Sequence, residues 1–196
     1  MRLIFISAVS GVGKTTTCDY IKNNHLLEDY DVFDIDDLEN VNNYDNDTYN
    51  IFYENAIKKA VDKASNKNII IGSCINPTDI EKINVLKSIE SVEMILITCS
   101  NSELEKRLRS RDKNRNCSSD DFIKGQIDYQ NYMLKHLELY KLHLDNTNKS
   151  VKSISNEIMD YLQNGIKKEK WEKAKKWMRV QKVYHRRAST AWLRFI

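Results

Sequence analysis

Residues 2–16 decide the fold of this chain, and they read Arg2-Leu3-Ile4-Phe5-Ile6-Ser7-Ala8-Val9-Ser10-Gly11-Val12-Gly13-Lys14-Thr15-Thr16. An apolar run with the length of a β-strand passes into a turn of small residues, and a Lys-Thr pair then opens a helical pattern. Gly11 and Gly13 leave backbone N–H groups free to curl around phosphate oxygens, and the helix directs the positive end of its dipole at the same point. The stretch therefore predicts a strand, an anion-binding turn and a helix in direct succession.

The spacing of this turn matches the P-loop pattern G-x-x-x-x-G-K-[ST], except that Ala8 stands in place of the first glycine. Alanine adopts a positive φ only at a cost, so we expect the turn after the strand to be slightly re-aimed. Lys14 is expected to reach the β- and γ-phosphates of a nucleoside triphosphate, and Thr15 to give its hydroxyl to Mg²⁺. The alternative is an ordinary glycine turn, which the flanking strand and helix disfavour. The predicted nucleotide-binding residues of the turn are Ser10, Gly11, Val12, Gly13, Lys14, Thr15 and Thr16.

The size and composition of the chain fit one globular domain with an appended element. Its 196 residues are 41% hydrophobic and 30% charged, which is enough for a sizeable core. No apolar run approaches the roughly 20 residues of a membrane span, and no signal peptide is predicted because the first strand begins at once. The cysteines form no C-x-x-C pair, which favours free thiols in a cytoplasmic protein over disulfides or zinc. They are Cys18, Cys74, Cys99 and Cys117.

The net charge of +3 conceals a difference between two parts of the chain. Residues 1–164 carry 20 Lys and Arg against 26 Asp and Glu, whereas residues 165–196 carry 11 basic residues against two acidic ones. We therefore predict a domain over residues 1–164 and a basic, aromatic helical tail over residues 165–196. An apolar stripe in the tail favours docking on the core or on a second protomer in a homodimer. The alternatives are nucleic-acid binding through residues 166–196, contact with an anionic membrane surface, and a cloning-derived extension.

Strands and helices alternate along the first 164 residues. Apolar runs predict further strands over residues 30–37, 68–73, 92–98 and 142–145. Helical spacing and capping residues predict helices over residues 16–24, 48–65, 77–89, 119–140 and 150–163, with another that begins near residue 101. Such alternation predicts an α/β fold with a mostly parallel sheet and helices on both faces. Ligands bind at the carboxyl ends of the strands in sheets of this kind.

Three carboxylates follow the predicted second strand, and strand alternation would put Asp34 and Asp36 on one face of it. Phosphoryl transfer to a hydroxyl needs Mg²⁺ and a group that takes the proton. One carboxylate of the pair is expected to order water on the metal, and the other to orient or deprotonate the acceptor. Asp37 is assigned to capping. The alternative is that Asp36 and Asp37 merely begin a helix, where acidic residues favour the dipole.

A cluster of cations ends one predicted helix and continues into the loop before the next. Arg107, Arg111 and Arg115 are expected to screen the γ-phosphoryl group from a short lid over about residues 109–118. The alternative is a solvated basic helix end. The cluster consists of Lys106, Arg107, Arg109, Arg111, Lys113 and Arg115.

In these motifs the chain resembles the small P-loop kinases that are adenylate-kinase-like, shikimate-kinase-like and gluconate-kinase-like. Residues 11–16 are similar to the loop of archaeal-type adenylate kinases, and residues 33–36 resemble the D-x-D of shikimate-kinase-like proteins, which serves acceptor and metal-water contacts. Residues 104–111 look like the R-L-x-x-R that opens the lid of the family. Residues 144–147 are similar to the last strand and loop, which lie beside the adenine in the family and so implicate Asn146.

The resemblance covers residues 1 to about 164 and implies a P-loop NTPase fold with three α/β/α layers. It implies a five-stranded parallel sheet of order 2-3-1-4-5, ATP as the donor with Mg²⁺, and a closing lid. The D-G-x-P-R signature of nucleotide acceptors is missing after the third strand, where residues 72–77 are expected to form a substrate-side loop.

We therefore predict an ATP-dependent kinase that acts on a small hydroxyl- or phosphate-bearing molecule, with a nucleoside or nucleotide favoured. One alternative is a kinase for a nucleic-acid end or a sugar nucleotide. Another is a nucleotide-binding switch whose basic tail binds a partner or nucleic acid.

Overall fold

The computed structural model describes residues 1–45, 48–64, 66–111 and 117–164. Its strands are β1 (Arg2–Ser7), β2 (Tyr30–Asp34), β3 (Asn68–Ser73), β4 (Ser91–Thr98) and β5 (Leu142–Asp145). Its α-helices are α1 (Lys14–Asn23), α2 (Ile35–Leu38), α3 (Tyr49–Lys63), α4 (Pro77–Ile80), α5 (Asn101–Arg109), α6 (Asp120–Leu134) and α7 over residues 151–164.

The five strands form one parallel sheet in the order β2-β3-β1-β4-β5, as predicted. β1 lies at the centre, where Leu3 is in register with Ile69 of β3 on one side and with Val92 of β4 on the other. From β1 the chain crosses to the edge strand β2 and returns through β3, and it then continues to β4 and β5 on the other side of β1. The carboxyl end of β1 is therefore a point at which the strand order reverses. Ligands of open α/β sheets bind at such a point. The topology therefore puts the turn after β1 at the position where a ligand is expected.

The core is built on strands that are apolar on both faces. Leu3, Ile4, Phe5 and Ile6 of β1 are fully buried, and so is the run over residues 69–71 of β3. Helices cover both faces of a parallel sheet, so its central strands are continuous hydrophobic runs rather than alternating ones. The buried side chains hold β1 and β3 in place, and the candidate site lies at the carboxyl ends of these strands.

The second strand is shorter than predicted. β2 ends at Asp34, and α2 begins at Ile35 with Asp34 as its N-cap. The Asp34 carboxylate accepts a hydrogen bond from the backbone N–H of Asp36 at 3.2 Å. A short polar side chain at a strand end captures the next free amides in this way and starts a helix. Asp34 and Asp36 therefore do not share the face of a strand, and the cap is Asp34 rather than Asp37.

Two predicted helices are interrupted. In place of a helix over residues 77–89, α4 is followed by the 3₁₀ helix Asn84–Ser88. The buried Ile83 and Leu86 are three residues apart, a spacing that suits 3₁₀ geometry. The predicted start of α4 is correct, since the Asn76 side chain caps it and Pro77 is its first residue. α6 ends at Leu134 rather than near residue 140, because the chain must turn back through the 3₁₀ helix Leu137–Leu139 to reach β5.

The chain divides into two units, Met1–Asn156 and Glu157–Ile196. The first unit contains all five strands of the sheet. In the second, the structure describes residues 157–164, which are helical. The predicted tail over residues 165–196 and the centre of the predicted lid lie outside the described residues. None of the helices that are described is both long and apolar enough to cross a membrane.

Candidate active site

The turn after β1 depends on two glycines in the left-handed region. Gly11 has φ +95° and Gly13 has φ +109°, a conformation that costs a residue with a side chain free energy. A Cβ on Gly11 would also lie 2.9 Å from the Leu108 side chain. Ala8, by contrast, is absent from the residues with positive φ, and its N–H donates to the Ser73 carbonyl at 3.2 Å. The missing first glycine therefore introduces no backbone strain, and the re-aimed turn that we expected is not required.

The N-terminus of α1 offers free backbone donors. The first backbone bond of the helix runs from Thr17 N to the Gly13 carbonyl at 3.0 Å, so the N–H groups of Lys14, Thr15 and Thr16 have no acceptor within the helix. No side chain caps the helix at Gly13. These amides and the helix dipole form a site for an anion such as a polyphosphate.

Lys14, Thr15 and Asp34 meet at this helix end. The Thr15 hydroxyl donates to Asp34 Oδ2 at 2.6 Å, and Lys14 Nζ lies 3.6 Å from Asp34 Oδ1. Lys14 is only 8% exposed. Burial alone would lower the pKa of its ammonium group, but the acidic groups Cys74, Asp34 and Asp36 outweigh that effect and raise the pKa above 10.5. Lys14 is therefore held as a cation beside the carboxylate that follows β2.

The donor set suits Mg²⁺, which prefers oxygen ligands and is usually held by one or two protein groups together with substrate phosphates. The Thr15 hydroxyl is such a group, and the Asp34 carboxylate lies directly behind it. Among the described residues, no group of three or more His, Cys, Asp or Glu side chains could hold a metal ion by itself. The residues thus fit a Mg²⁺ that arrives with a nucleotide rather than one in a protein cage.

Arg107 and Asn146 clamp the back of the turn. Both donate to the Val12 carbonyl, Arg107 Nη1 at 3.0 Å and Asn146 Nδ2 at 2.7 Å. Arg107 Nη2 also donates to the Asn146 carbonyl at 2.9 Å, and its Nε donates to Glu103 at 2.8 Å. All three nitrogens of the guanidinium are thereby engaged with the protein. The structure places Arg107 as a link between α5, the P-loop and the loop after β5.

Ser10 is approached from the opposite side. Arg111 Nη1 donates to the Ser10 hydroxyl at 2.9 Å, and the Ser10 N–H donates to Gln126 Oε1 of α6 at 2.9 Å. The i,i+4 spacing of Arg107 and Arg111 was visible in the sequence, but Gln126 lies 116 residues from Ser10 and carried no sequence signal. Arg115 lies outside the described residues.

The structure thus brings most of the predicted residues together at one strand edge. Lys14, Thr15, Asp34 and Arg111 surround the turn, while the exposed Thr16 lies in the first turn of α1. Asp36 is exposed on α2 and is not paired with Asp34 through its side chain.

Sequence reasoning missed Gly72, at the end of β3. A Cβ there would lie 2.8 Å from Cys18 Sγ and 3.2 Å from Lys14 Cγ. A glycine inside a strand pattern is itself a sign of such a close approach. The signal was therefore present in the sequence, although the residues that approach could not be named from it.

Comparisons with solved structures agree with this fold. The chain is similar to a gluconokinase from Sinorhizobium meliloti 1021, at 16% identity and a TM-score of 0.62, over 86% of this chain and 97% of the other. It is similar to the tunicamycin resistance protein of Deinococcus radiodurans, at 17% identity and a TM-score of 0.60, over 82% and 95%. It is also similar to the shikimate kinase of Aquifex aeolicus vf5, at 14% identity and a TM-score of 0.56, over 85% and 98%.

The curated proteins contain no significant match to the chain. Residues 4–128 match the AAA domain family, and this range includes the P-loop, α2, the end of β3 and the arginines of α5. The match extends over more than half of the sequence. This protein therefore belongs to the AAA domain family, and it has the fold of the small P-loop kinases.

Proposed function

We propose that this protein is a kinase that transfers the γ-phosphoryl group of Mg-ATP to a small molecule, with a nucleoside or nucleotide as the favoured acceptor. The observation that carries the proposal is the buried Lys14, held 3.6 Å from Asp34 at the end of a helix with free amides. A polyphosphate at this helix end would be bound by Lys14 and by the amides of the turn. Its γ-phosphoryl group would then lie at the carboxyl edge of the sheet, where Asp34 ends β2 and Asp36 follows in α2.

The two carboxylates have different surroundings. Asp34 accepts from Thr15 and from the backbone of Asp36, and it lies beside Lys14, so both its oxygens are already engaged. Its role in the proposal is to hold Lys14 and Thr15 in position. The bound Mg²⁺ supplies charge neutralisation. Asp36 is exposed, and no described side chain donates to its carboxylate, so Asp36 is the group available to orient the acceptor and receive its proton.

The arginines divide in the same way. Arg107 is engaged by three protein acceptors, and in the proposal it fixes the P-loop rather than contacting the transferred group. Arg111 reaches Ser10 at the mouth of the turn. The guanidinium of Arg111 is therefore the described group best placed to screen phosphate charge, with Arg115 proposed for the same role. Asn146 supports the nucleotide site by holding Val12.

The experiment compares Lys14→Ala with Lys22→Ala, which removes an exposed lysine from the other end of the same helix. Calorimetry with Mg-ATP and ADP release with a panel of hydroxyl compounds are measured for both. We expect Lys14→Ala to lose binding and turnover with its circular dichroism spectrum unchanged, and Lys22→Ala to match the wild type. Full activity in Lys14→Ala would refute the proposal. Binding of Mg-ATP by the wild type without any phosphorylated product would instead support a nucleotide-binding switch.

A further inference from the structure

Five residues near the carboxyl ends of β2 and β3 form a tyrosine-rich cluster, which we call the acceptor wall: Asp36, Tyr49, Cys74, Asn76 and Tyr129. Hydrogen bonds join its far half, since Tyr129 Oη donates to the Cys74 carbonyl at 2.8 Å and Asn76 Nδ2 donates to Tyr129 Oη at 3.3 Å. The wall therefore draws its residues from α2, α3, the loop after β3 and α6.

The near half of the wall adjoins Lys14. Burial raises the pKa of the Cys74 thiol, and the charges of Lys14, Asp36 and Asp34 act on the same group. Burial also raises the pKa of Tyr49, on whose phenol the charges of Cys74, Asp36 and Lys14 act. Two contacts place this half of the wall near Lys14. The Asp36 N–H donates to Asp34, which lies 3.6 Å from Lys14, and a Cβ on Gly72, two residues before Cys74, would lie 3.2 Å from Lys14 Cγ.

Tyr49 is the part of the wall that a ligand can reach. It is 39% exposed, although it stacks on Phe52 at 5.5 Å and meets the edge of Tyr53 at 5.2 Å between ring centroids. Tyr53 itself is 2% exposed. A tyrosine fixed from behind and open in front presents a flat apolar ring and one hydroxyl at little cost in conformational entropy. Such a surface suits the face of a sugar or another ring compound.

The charges of the wall are negative. Asp79 beside Asn76 is paired with Lys82 at 2.8 Å, and Asp34 is paired with Lys14 at 3.6 Å, whereas Asp36 has no ion pair within the described part of the chain. Among the described residues, no Lys or Arg side chain is hydrogen-bonded or ion-paired to a residue of the wall, and Lys14 is the one cation among the main charges acting on Cys74 and Tyr49. An acceptor with its own carboxylate or phosphate would meet Asp36 and the γ-phosphate, and the residues of the wall include no cation to offset that repulsion.

We infer that the acceptor enters as an uncharged or cationic ring compound with a free hydroxyl, such as a nucleoside, a neutral sugar or an amino sugar. Sugar acids are disfavoured, and the proposed choice of a nucleoside or nucleotide is narrowed to the nucleoside. This inference rests on the proposed function. In the transfer, the hydroxyl oxygen forms a bond to the γ-phosphorus and the bond from that phosphorus to the β,γ-bridging oxygen breaks. ADP leaves with the bond electrons, and the hydroxyl proton passes to the Asp36 carboxylate.

The test uses pairs of acceptors that differ in one anionic group: several nucleosides against their 5′-monophosphates, and glucose against gluconate, with glucosamine as the cationic member. The full-length protein is assayed with Mg-ATP for ADP release, and mass spectrometry identifies the phosphorylated product. We expect kcat/KM for the uncharged or cationic member to exceed that for its anionic partner by about tenfold or more.

Asp36→Asn measures the contribution of the wall. We expect Asp36→Asn to reduce the ratio of kcat/KM for the uncharged acceptor to kcat/KM for its anionic partner by about tenfold. We also expect it to lower kcat. Asp37→Asn removes the same charge from the next residue of α2 and should leave the ratio unchanged. If neither substitution changes this kcat/KM ratio, Asp36 does not set the preference for uncharged acceptors, and the inference loses its electrostatic basis.

Calorimetry with Mg-ATP on the same protein separates the inference from the proposed function. If Mg-ATP binds and the anionic members are the better acceptors, the inference is overturned while the kinase proposal is strengthened. If Mg-ATP binds and every uncharged and cationic member fails, the inference is likewise overturned. If Mg-ATP does not bind, the proposed function fails.

Discussion

Gly72 provides the sharpest test of how the sheet positions Lys14. In Gly72→Ala the new Cβ would lie 2.8 Å from Cys18 Sγ and 3.2 Å from Lys14 Cγ. Neither atom can move freely, because Cys18 is buried and the ammonium group of Lys14 is held at Asp34. Overpacking of this kind costs about 1–3 kcal/mol, and the stiffer unfolded chain returns about 0.5–1 kcal/mol. We expect a net loss of about 1–2 kcal/mol in the free energy of unfolding, with weaker Mg-ATP binding.

Gly125 is a matched control for this substitution. It lies in α6, is exposed, and has nothing within 4 Å of the position that a Cβ would take. Since glycine in a helix interior is less stable than alanine by about 0.5–1 kcal/mol, Gly125→Ala should raise the free energy of unfolding. Gly72→Ala and Gly125→Ala are therefore expected to change the free energy of unfolding in opposite directions in the same urea titration.

Cys18→Ala locates the origin of the loss. Combined with Gly72→Ala it removes the 2.8 Å contact but leaves the 3.2 Å contact with Lys14. The double variant should be more stable than the sum of the two single changes by about 1 kcal/mol, while Mg-ATP binding stays weak because the lysine is still displaced. A Gly72→Ala protein with wild-type stability and nucleotide affinity would refute the packing argument.

Two further predictions concern the clamp and the edge strand. Arg107→Met should lower the free energy of unfolding by about 1–3 kcal/mol, since it removes the donor to the Asn146 carbonyl and one of the two donors to the Val12 carbonyl. Arg109→Met removes ion pairs at an exposed side chain and should have a much smaller effect, so equal effects in chemical denaturation would contradict the clamp. Nε2 of His143 lies 2.9 Å from the Thr98 hydroxyl, and burial lowers the pKa of His143 below 6.5. The unfolded chain therefore binds more protons than the folded chain just below pH 6.5. The free energy of unfolding should fall as the pH falls below 6.5. His143→Gln should flatten the dependence of the unfolding midpoint on pH there, and an unchanged slope would show that another group is responsible.

The parts of the fold that depend on adjacent residues could be predicted from the sequence. The strand, glycine turn and helix of residues 2–23 are set by burial and backbone freedom within one short stretch. The cap at Asn76 followed by Pro77 is equally local, and it was predicted correctly. The order of the strands was not local information, and it came from the resemblance to a known family of kinases.

The end of β2 shows where local reasoning failed. Alternating side chains over residues 30–37 predicted a strand throughout, but Asp34 caps a helix at the next residue. The sequence offered a competing signal, because an aspartate followed by two more acids is also typical of a helix N-terminus. In the structure α3 packs on α2, and the sequence does not show that these two helices meet.

The candidate site was predicted as a set of residue types, and the structure divides that set by role. The two side chains that bond to the Val12 carbonyl, Arg107 and Asn146, lie 95 and 134 residues further along the chain. Neither spacing nor composition predicts such pairings. Arg107 and Arg111 looked equivalent in sequence because one helical turn separates them. In the structure Arg107 is engaged by carbonyls behind the turn and Arg111 by a hydroxyl at its mouth.

Arg107 and Arg111 therefore give the same segment two different contacts with the P-loop. Arg107 bonds to the Val12 carbonyl and so ties α5 to the turn. Within the described part of the chain, Arg111 bonds only to the Ser10 hydroxyl, which is a neutral acceptor. A phosphate group carries negative charge and can accept two parallel bonds from a guanidinium, so it is the stronger partner. On the proposed function, we therefore expect a bound polyphosphate to draw Arg111 away from Ser10 while Arg107 keeps its bonds to the turn.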